Sequence, residues 1–266
     1  MPVDIAKLLS DLNTESVNLR AVLRRLSEAQ WDLPTPADGW ALRDQVSHLA
    51  YFDDVAALAL TDPDAFDQTA KNLVAKGPHF PDVVAEELRS MGCAELLDWF
   101  TTARAALLII FEGDDPKRRI PWFGPDMSVA SSATARLMET WAHGRDVYDA
   151  LGVGHPDSPG LRSVAHLGIT TFGWAFGVNE LPVPEEPLRV ELLSPQGDEQ
   201  WVWGPADAVN QVSGPAEDFV LTVTQRRRWT DTALVAHGPV ATRWMDIAQA
   251  FAGAPGRGGD AQAPAP

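Results

Sequence analysis

Helical spacing of the apolar residues runs through the first two thirds of the chain and limits the folds open to it. Ile5, Leu8, Leu9, Leu12, Val22, Leu23 and Leu26 form one stripe over residues 2–29, as a 3.6-residue period requires. The stretch Leu33-Pro34-Thr35-Pro36-Ala37-Asp38-Gly39-Trp40 breaks it, since proline and glycine punctuate helices. A second helix is predicted over 42–60, with Leu42, Val46, Leu49, Phe52 and Leu60 on its apolar arc. Residues 61–81 hold three prolines and a glycine and read as a long connection, followed by a third helix over 82–112. After the crossover GDDPKRRIPWFGPDM, a fourth helix covers 128–151 and stops before Gly152, Gly154 and Pro156. Four helices joined by two long connections suit an antiparallel bundle.

Beyond Pro156 the pattern changes. Residues 159–177 read as one more helix, and five prolines then fall within 182–205. Two β-like runs, Leu188–Leu193 and Gln200–Trp203, flank Gln196-Gly197-Asp198, a hairpin signal. Residues 215–226 read as helix, 232–237 as strand and 239–252 as helix. The fold class expected is therefore α+β: a helical bundle over 1–156, a small α+β domain over 157–254 and a disordered Gly/Pro/Ala-rich tail over 255–266.

Charge narrows the function. The 21 Lys and Arg against 37 Asp and Glu leave a formal charge of −16, which argues against nucleic acid as a partner because phosphate binding takes basic residues. It argues equally against an anionic membrane surface. The single cysteine, Cys93, excludes an internal disulfide and a cysteine-based zinc site and reads as a small core residue. The first residues lack the basic-then-apolar layout of a signal peptide, and no apolar run approaches the ~20 residues of a membrane span. A cytoplasmic protein is expected.

Of the six histidines, His79 and His155 sit beside prolines and His237 precedes Gly238 at a strand end. His48 and His143 fall mid-helix, where a ring facing a bundle interior needs a partner. Glu139 stands four residues before His143 and Asp44 four before His48, a spacing that shares one helix face. Ser132 and Asp146 lie on the stripe of Glu139 and His143. One ligand from the second helix and two from the fourth could meet in the core, giving two imidazoles and a carboxylate with an open fourth position. Asp44 or Asp146 could orient a ligand ring through its other nitrogen. By spacing alone, however, a Glu-x-x-x-His pair is more often part of a solvated helix face than of a metal site.

Two blocks carry a family likeness. Trp31, Thr35-Pro36-Ala37-Asp38-Gly39-Trp40 and Asp44-Gln45-Val46-Ser47-His48-Leu49-Ala50 form the first; Glu139-Thr140-Trp141-Ala142-His143-Gly144-Arg145-Asp146-Val147 is the second. Together they resemble the N-terminal domain of the mycothiol-dependent maleylpyruvate isomerase family, within the DinB-like superfamily of metal-binding four-helix bundles. Ala248-Gln249-Ala250-Phe251-Ala252-Gly253 is similar to a less characterised actinobacterial branch. The likeness implies a divalent metal, usually zinc, on His48, Glu139 and His143. It also implies a sterol-carrier-like α/β domain after the bundle, and a zinc-dependent enzyme working with a low-molecular-weight thiol such as mycothiol.

Three functions stay open. The first is a thiol-dependent isomerase or S-transferase acting on a small electrophilic carbonyl substrate. The second is a thiol-independent lyase, dehydratase or cyclase of specialised metabolism. The third is a non-catalytic ligand-binding protein with a structural metal. Asp44, Asp146 and His166 are the candidates for proton transfer, and Arg226 for a substrate carboxylate, since guanidinium binds one in two-pronged fashion. Trp141 could line the cavity, although core packing suits it better. A monomer or homodimer acting on a small molecule is expected.

Overall fold

The structure, a computed structural model, describes residues 4–253 and 255. It divides into two compact units, Met1–Gly160 and Leu161–Pro266. Apart from Pro255, the tail expected over 255–266 lies outside the described residues. No helix among the described residues is long and apolar enough to cross a membrane.

In the first unit, α1 (Ile5–Leu23), α2 (Leu42–Thr61), α5 (Cys93–Glu112) and α6 (Val129–Leu151) make the bundle, with α3 (Pro63–Val74) and α4 (Phe80–Leu88) between α2 and α5. Leu19 and Leu23 near the end of α1 share one core cluster with Leu42, Val46 and Leu49 at the start of α2, Leu96 and Phe100 at the start of α5, and Val147 near the end of α6. The order is therefore up-down-down-up. The excursion through α3 and α4 returns the chain to the end where α2 began, so α2 and α5 run side by side in the same direction. Arg43, at the start of α2, accordingly donates to the carbonyls of Arg89 and Met91 just before α5.

Several boundaries differ from expectation, each for a local reason. The first helix stops at Leu23 rather than 29, and a 3-10 turn occupies Glu28–Asp32. The connection over 61–81 contains α3, because Asp62 accepts from Ala65 N–H and Pro63 occupies the first turn. Proline there starts a helix rather than ending one. The helix expected over 82–112 is two helices: α4 ends at Leu88, and Arg89 swings across to Gly39 O at 2.7 Å and to Asp44. The crossover before α6 carries a short antiparallel pair, β1 (Arg119–Ile120) and β2 (Met127–Ser128).

In the second unit, the helix expected over 159–177 breaks into α7 (Leu161–Thr170) and α8 (Phe172–Val178). Thr170 and Thr171 both turn their hydroxyls back to Leu167 O at 3.0 Å, a bond that competes with helix continuation. The sheet has order β4-β3-β5-β6, with β3 (Leu188–Leu193), β4 (Gln200–Trp203), β5 (Asn210–Pro215) and β6 (Val235–His237). β3 pairs antiparallel with β4 and parallel with β5, which pairs antiparallel with β6. The β3–β4 turn holds Gly197 at φ 74°, the left-handed conformation glycine adopts freely. β5 was not expected. Its Asn210 is buried and accepts from Val240 N–H at 3.0 Å, holding the start of α10 (Pro239–Ile247). A Cβ at Gly238 would lie 2.5 Å from that Asn210 oxygen, so only glycine fits there. α9 (Ala216–Val223) buries Phe219, Val220 and Leu221.

The bundle also buries an acid on α1. Glu15 is 4% exposed and its Oε1 has no hydrogen-bond partner. Burial, reinforced by Asp11 and opposed by Ser158, pushes its carboxyl up to about 7. A folded-state value raised above the unfolded one favours the folded state most below about 4.5, and this contribution is lost as pH rises through about 7. Glu15→Gln should therefore match the parent at pH 4 and exceed it by roughly 3 kcal/mol at pH 8. Urea unfolding at the two pH values checks this, and an equal difference at both would contradict it.

Candidate metal centre

His48 projects from α2 and Glu139 and His143 from α6, and their ligand-type atoms all lie within 4.8 Å of one another. His143 Nε2 is 3.1 Å from Glu139 Oε2, His48 Nε2 is 3.4 Å from the same oxygen, and the two imidazole centroids are 4.3 Å apart. Burial would raise the Glu139 carboxyl. The hydrogen bonds and charges of His143 and His48 outweigh it and hold that carboxyl well below the usual range.

The turn before α2 builds one wall. Pro34 bridges Ala41, Thr35 N–H donates to Trp40 O at 2.8 Å, and Gly39 sits at φ 75°. Trp40 is thereby held over His143, nearly parallel at 5.8 Å, and its Nε1 donates to Asp82 at 2.8 Å. Phe52 packs against His48 at 4.6 Å and continues into Phe80 and Phe123.

Gln45 fixes the chemistry of His143. The Thr35 hydroxyl donates to Trp40 O at 2.9 Å, so it can only accept from Gln45 Nε2, 2.8 Å away. The amide oxygen must then face His143 Nδ1, at 2.5 Å. Nδ1 carries a proton, and Nε2 turns toward Glu139. In this arrangement Nε2 can satisfy the carboxylate only as an imidazolium, or both can satisfy one cation. Two imidazole nitrogens and a carboxylate oxygen are the donors of an open zinc-type site, and a ring held through its other nitrogen is the usual support for such a ligand. His48 Nδ1 is buried without a partner.

Beside the cluster lies a buried ionic layer. Arg104 on α5 clamps Asp53 of α2 through Nε at 2.7 Å and Nη2 at 3.0 Å, while its Nη1 donates to Ser16 of α1 at 2.5 Å and Thr140 of α6 at 3.0 Å. Arg136, one turn before Glu139, stands 4.0 Å from Asp53 and 4.0 Å from Glu139. Burial lowers its guanidinium from the ordinary value, against the pull of Asp53 and Glu139.

The other residues singled out from sequence fall elsewhere. Asp44 does not orient His48: one of its oxygens accepts from Ala41 N–H at 2.8 Å, and Arg89 grips both at 3.0 and 2.9 Å. Asp146 is buried with an oxygen 4.0 Å from His143 Nδ1, farther than Gln45. Trp141 is buried against His155, with ring centroids 5.4 Å apart. His166 and Arg226 belong to the second unit. There His166 is exposed and stacks on Trp203 at 6.4 Å, and Arg226 donates to Thr224 O at 2.8 Å. Sequence reasoning missed Gln45, Asp53, Arg104 and Arg136. Only Gln45 left a signal, standing three residues before His48 on the same face of the helix.

The family model described as the mycothiol maleylpyruvate isomerase N-terminal domain matches residues 12–148. The chain belongs to this family. A second model, described as wyosine base formation, matches residues 184–237. Two uncharacterised proteins of Mycobacterium tuberculosis, from strains CDC 1551 / Oshkosh and ATCC 25618 / H37Rv, are each 48% identical over 259 residues, 96% of this chain and 99% of theirs. Among solved structures, the mycothiol-dependent maleylpyruvate isomerase superposes with TM-score 0.59 at 14% identity, over 90% of this chain and 96% of that one. A histidine-to-alanine mutant of it gives 0.60 at 15% identity over the same shares. At these identities the likeness to the isomerase structures is one of fold.

The Arg104–Asp53 pair gives a direct test of the layer that supports the cluster. Arg104→Met leaves a fully buried carboxylate without its two-pronged partner and should cost about 3–5 kcal/mol. In a double-mutant cycle with Asp53→Asn the combined loss should fall well short of the sum. Additive losses, or a single loss under 1 kcal/mol, would count against the pair.

Proposed function

We propose that this chain is a divalent-metal-dependent enzyme, zinc-like in its ligand set, that uses a low-molecular-weight thiol of the mycothiol kind to isomerise, or transfer sulfur to, a small electrophilic carbonyl compound. One observation carries this reading: His48 and His143 both turn Nε2 toward Glu139, and Gln45 holds the His143 ring through Nδ1 with Nε2 facing that carboxylate. Membership of the family supports the thiol.

His48 Nε2, Glu139 and His143 Nε2 would hold the cation, leaving a fourth position for a small molecule. Once bound, such a cation acidifies a thiol and polarises a carbonyl. Around it, Gln45 keeps the proton of His143 on Nδ1. Trp40 and Phe52 cover the imidazoles and exclude water from their faces. Arg104, through Asp53 and Thr140, ties the helix that bears His48 to the helix that bears the other two.

The test is turnover of a panel of electrophilic carbonyl compounds by zinc-loaded protein, with and without mycothiol. Turnover should require both metal and thiol and disappear after chelation. Turnover of the same compounds without thiol would overturn the thiol part of the proposal. Gln45→Leu should weaken zinc binding by about 10–100-fold, the usual loss when the support of a ligand histidine is removed. Competition against a chromophoric chelator measures it, and unchanged affinity would contradict the role of Gln45.

A further inference from the structure

Arg136 is 3% exposed, and its Nη1 is buried without a hydrogen-bond partner. Both ion-pair contacts, to Asp53 and to Glu139, are at 4.0 Å. This is an unusual condition for a buried arginine, because five donors in a dry interior cost free energy unless acceptors meet them. Arg104 in the same layer shows what a satisfied arginine looks like here, with four hydrogen bonds to three helices. Arg136 lies on α6 three residues before Glu139, which places it on the same helix face as the candidate metal ligand.

Charge counting sharpens the point. Arg104 and Arg136 face Asp53 and Glu139, and the buried Asp146 stands 4.0 Å from His143 Nδ1, so with both histidines neutral these groups carry one net negative charge. A divalent cation on His48, Glu139 and His143 adds two positive charges to a buried region, where uncompensated charge is strongly unfavourable. One thiolate would offset the first. Asp146 offsets the second, and the Arg136 guanidinium, its Nη1 buried without a partner, stands beside the cluster in a position to receive an oxyanion of the substrate. Guanidinium pairs best with a planar oxyanion that takes two parallel hydrogen bonds.

We propose that Arg136 is the substrate-anchoring residue, binding a carboxylate of the electrophile beside the cation. The thiol-using metal enzyme proposed above is assumed here, and the experiment separates the two. Zinc-loaded protein is titrated with maleate by calorimetry, and zinc per chain is measured on each sample. The parent should bind maleate, Arg136→Gln should bind it at least ten-fold more weakly with zinc content unchanged, and Arg136→Lys should fall between. The neutral diamide of maleate should distinguish none of the three, which a merely structural role of Arg136 does not predict. Where Arg136→Gln fails to fold, Arg136→Lys keeps the buried charge and carries the comparison, its weaker maleate binding being the expected result. Maleate affinity within two-fold of the parent in the variant, or no binding by the parent, overturns the proposal. Should the parent hold no zinc, the metal reading fails, and the same titration of metal-free protein decides for or against Arg136 by the same ratio.

Discussion

One side chain ties the bundle together. Arg104 leaves α5 and spends its donors on Asp53 of α2, Ser16 of α1 and Thr140 of α6, so every helix of the bundle meets at a single guanidinium. A buried ion pair is weak evidence for stability in itself, because desolvation offsets its attraction. Its value here is register. The four hydrogen bonds of Arg104 to three other helices are met together in one relative placement of those helices. Thr140 is next to Glu139, and Asp53 is five residues beyond His48. Fixing these helices therefore fixes the separation of His48 from Glu139 and His143.

The same logic runs down to single protons. Thr35 has one hydrogen and gives it to Trp40 O; that decides which way the Gln45 amide faces, and the amide decides which nitrogen of His143 is protonated. A Pro- and Gly-containing turn thus sets the protonation of a ring on a helix about a hundred residues away in sequence. Trp40 closes the arrangement from the same turn, reaching α4 through Asp82 and covering both imidazoles.

Much of this was legible in the sequence, and the rest was hidden for definite reasons. The 3.6-residue period located α2 and α6 nearly to the residue, and the i, i+4 spacing put Glu139 and His143 on one face. Both hairpin strands, β3 and β4, followed from alternation and a Gln-Gly-Asp turn. α3 was hidden because Pro63 reads as a breaker until Asp62 is seen to cap it. β5 was hidden because Asn210-Gln211-Val212-Ser213-Gly214-Pro215 has the composition of a turn, and only pairing on both sides makes it a strand. The ionic layer was the least legible. Arg, Asp and Glu on a helix are exposed far more often than buried, so periodicity gives no reason to set Asp53 apart from its neighbour Asp54, or to place Arg104 and Arg136 inside. For the same reason Asp44 looked like a partner for His48, when its burial serves the helix start and Arg89 instead.

The most direct measurement of the central claim is X-ray absorption at the zinc edge of the loaded protein, before and after addition of the thiol. Without thiol the zinc should have nitrogen and oxygen neighbours only, at about 2.0–2.2 Å and two of them with imidazole character; with it, one new sulfur neighbour should appear at about 2.3 Å. Protein that takes up no zinc, or a zinc shell unchanged by thiol and already closed by four protein donors, would contradict the claim.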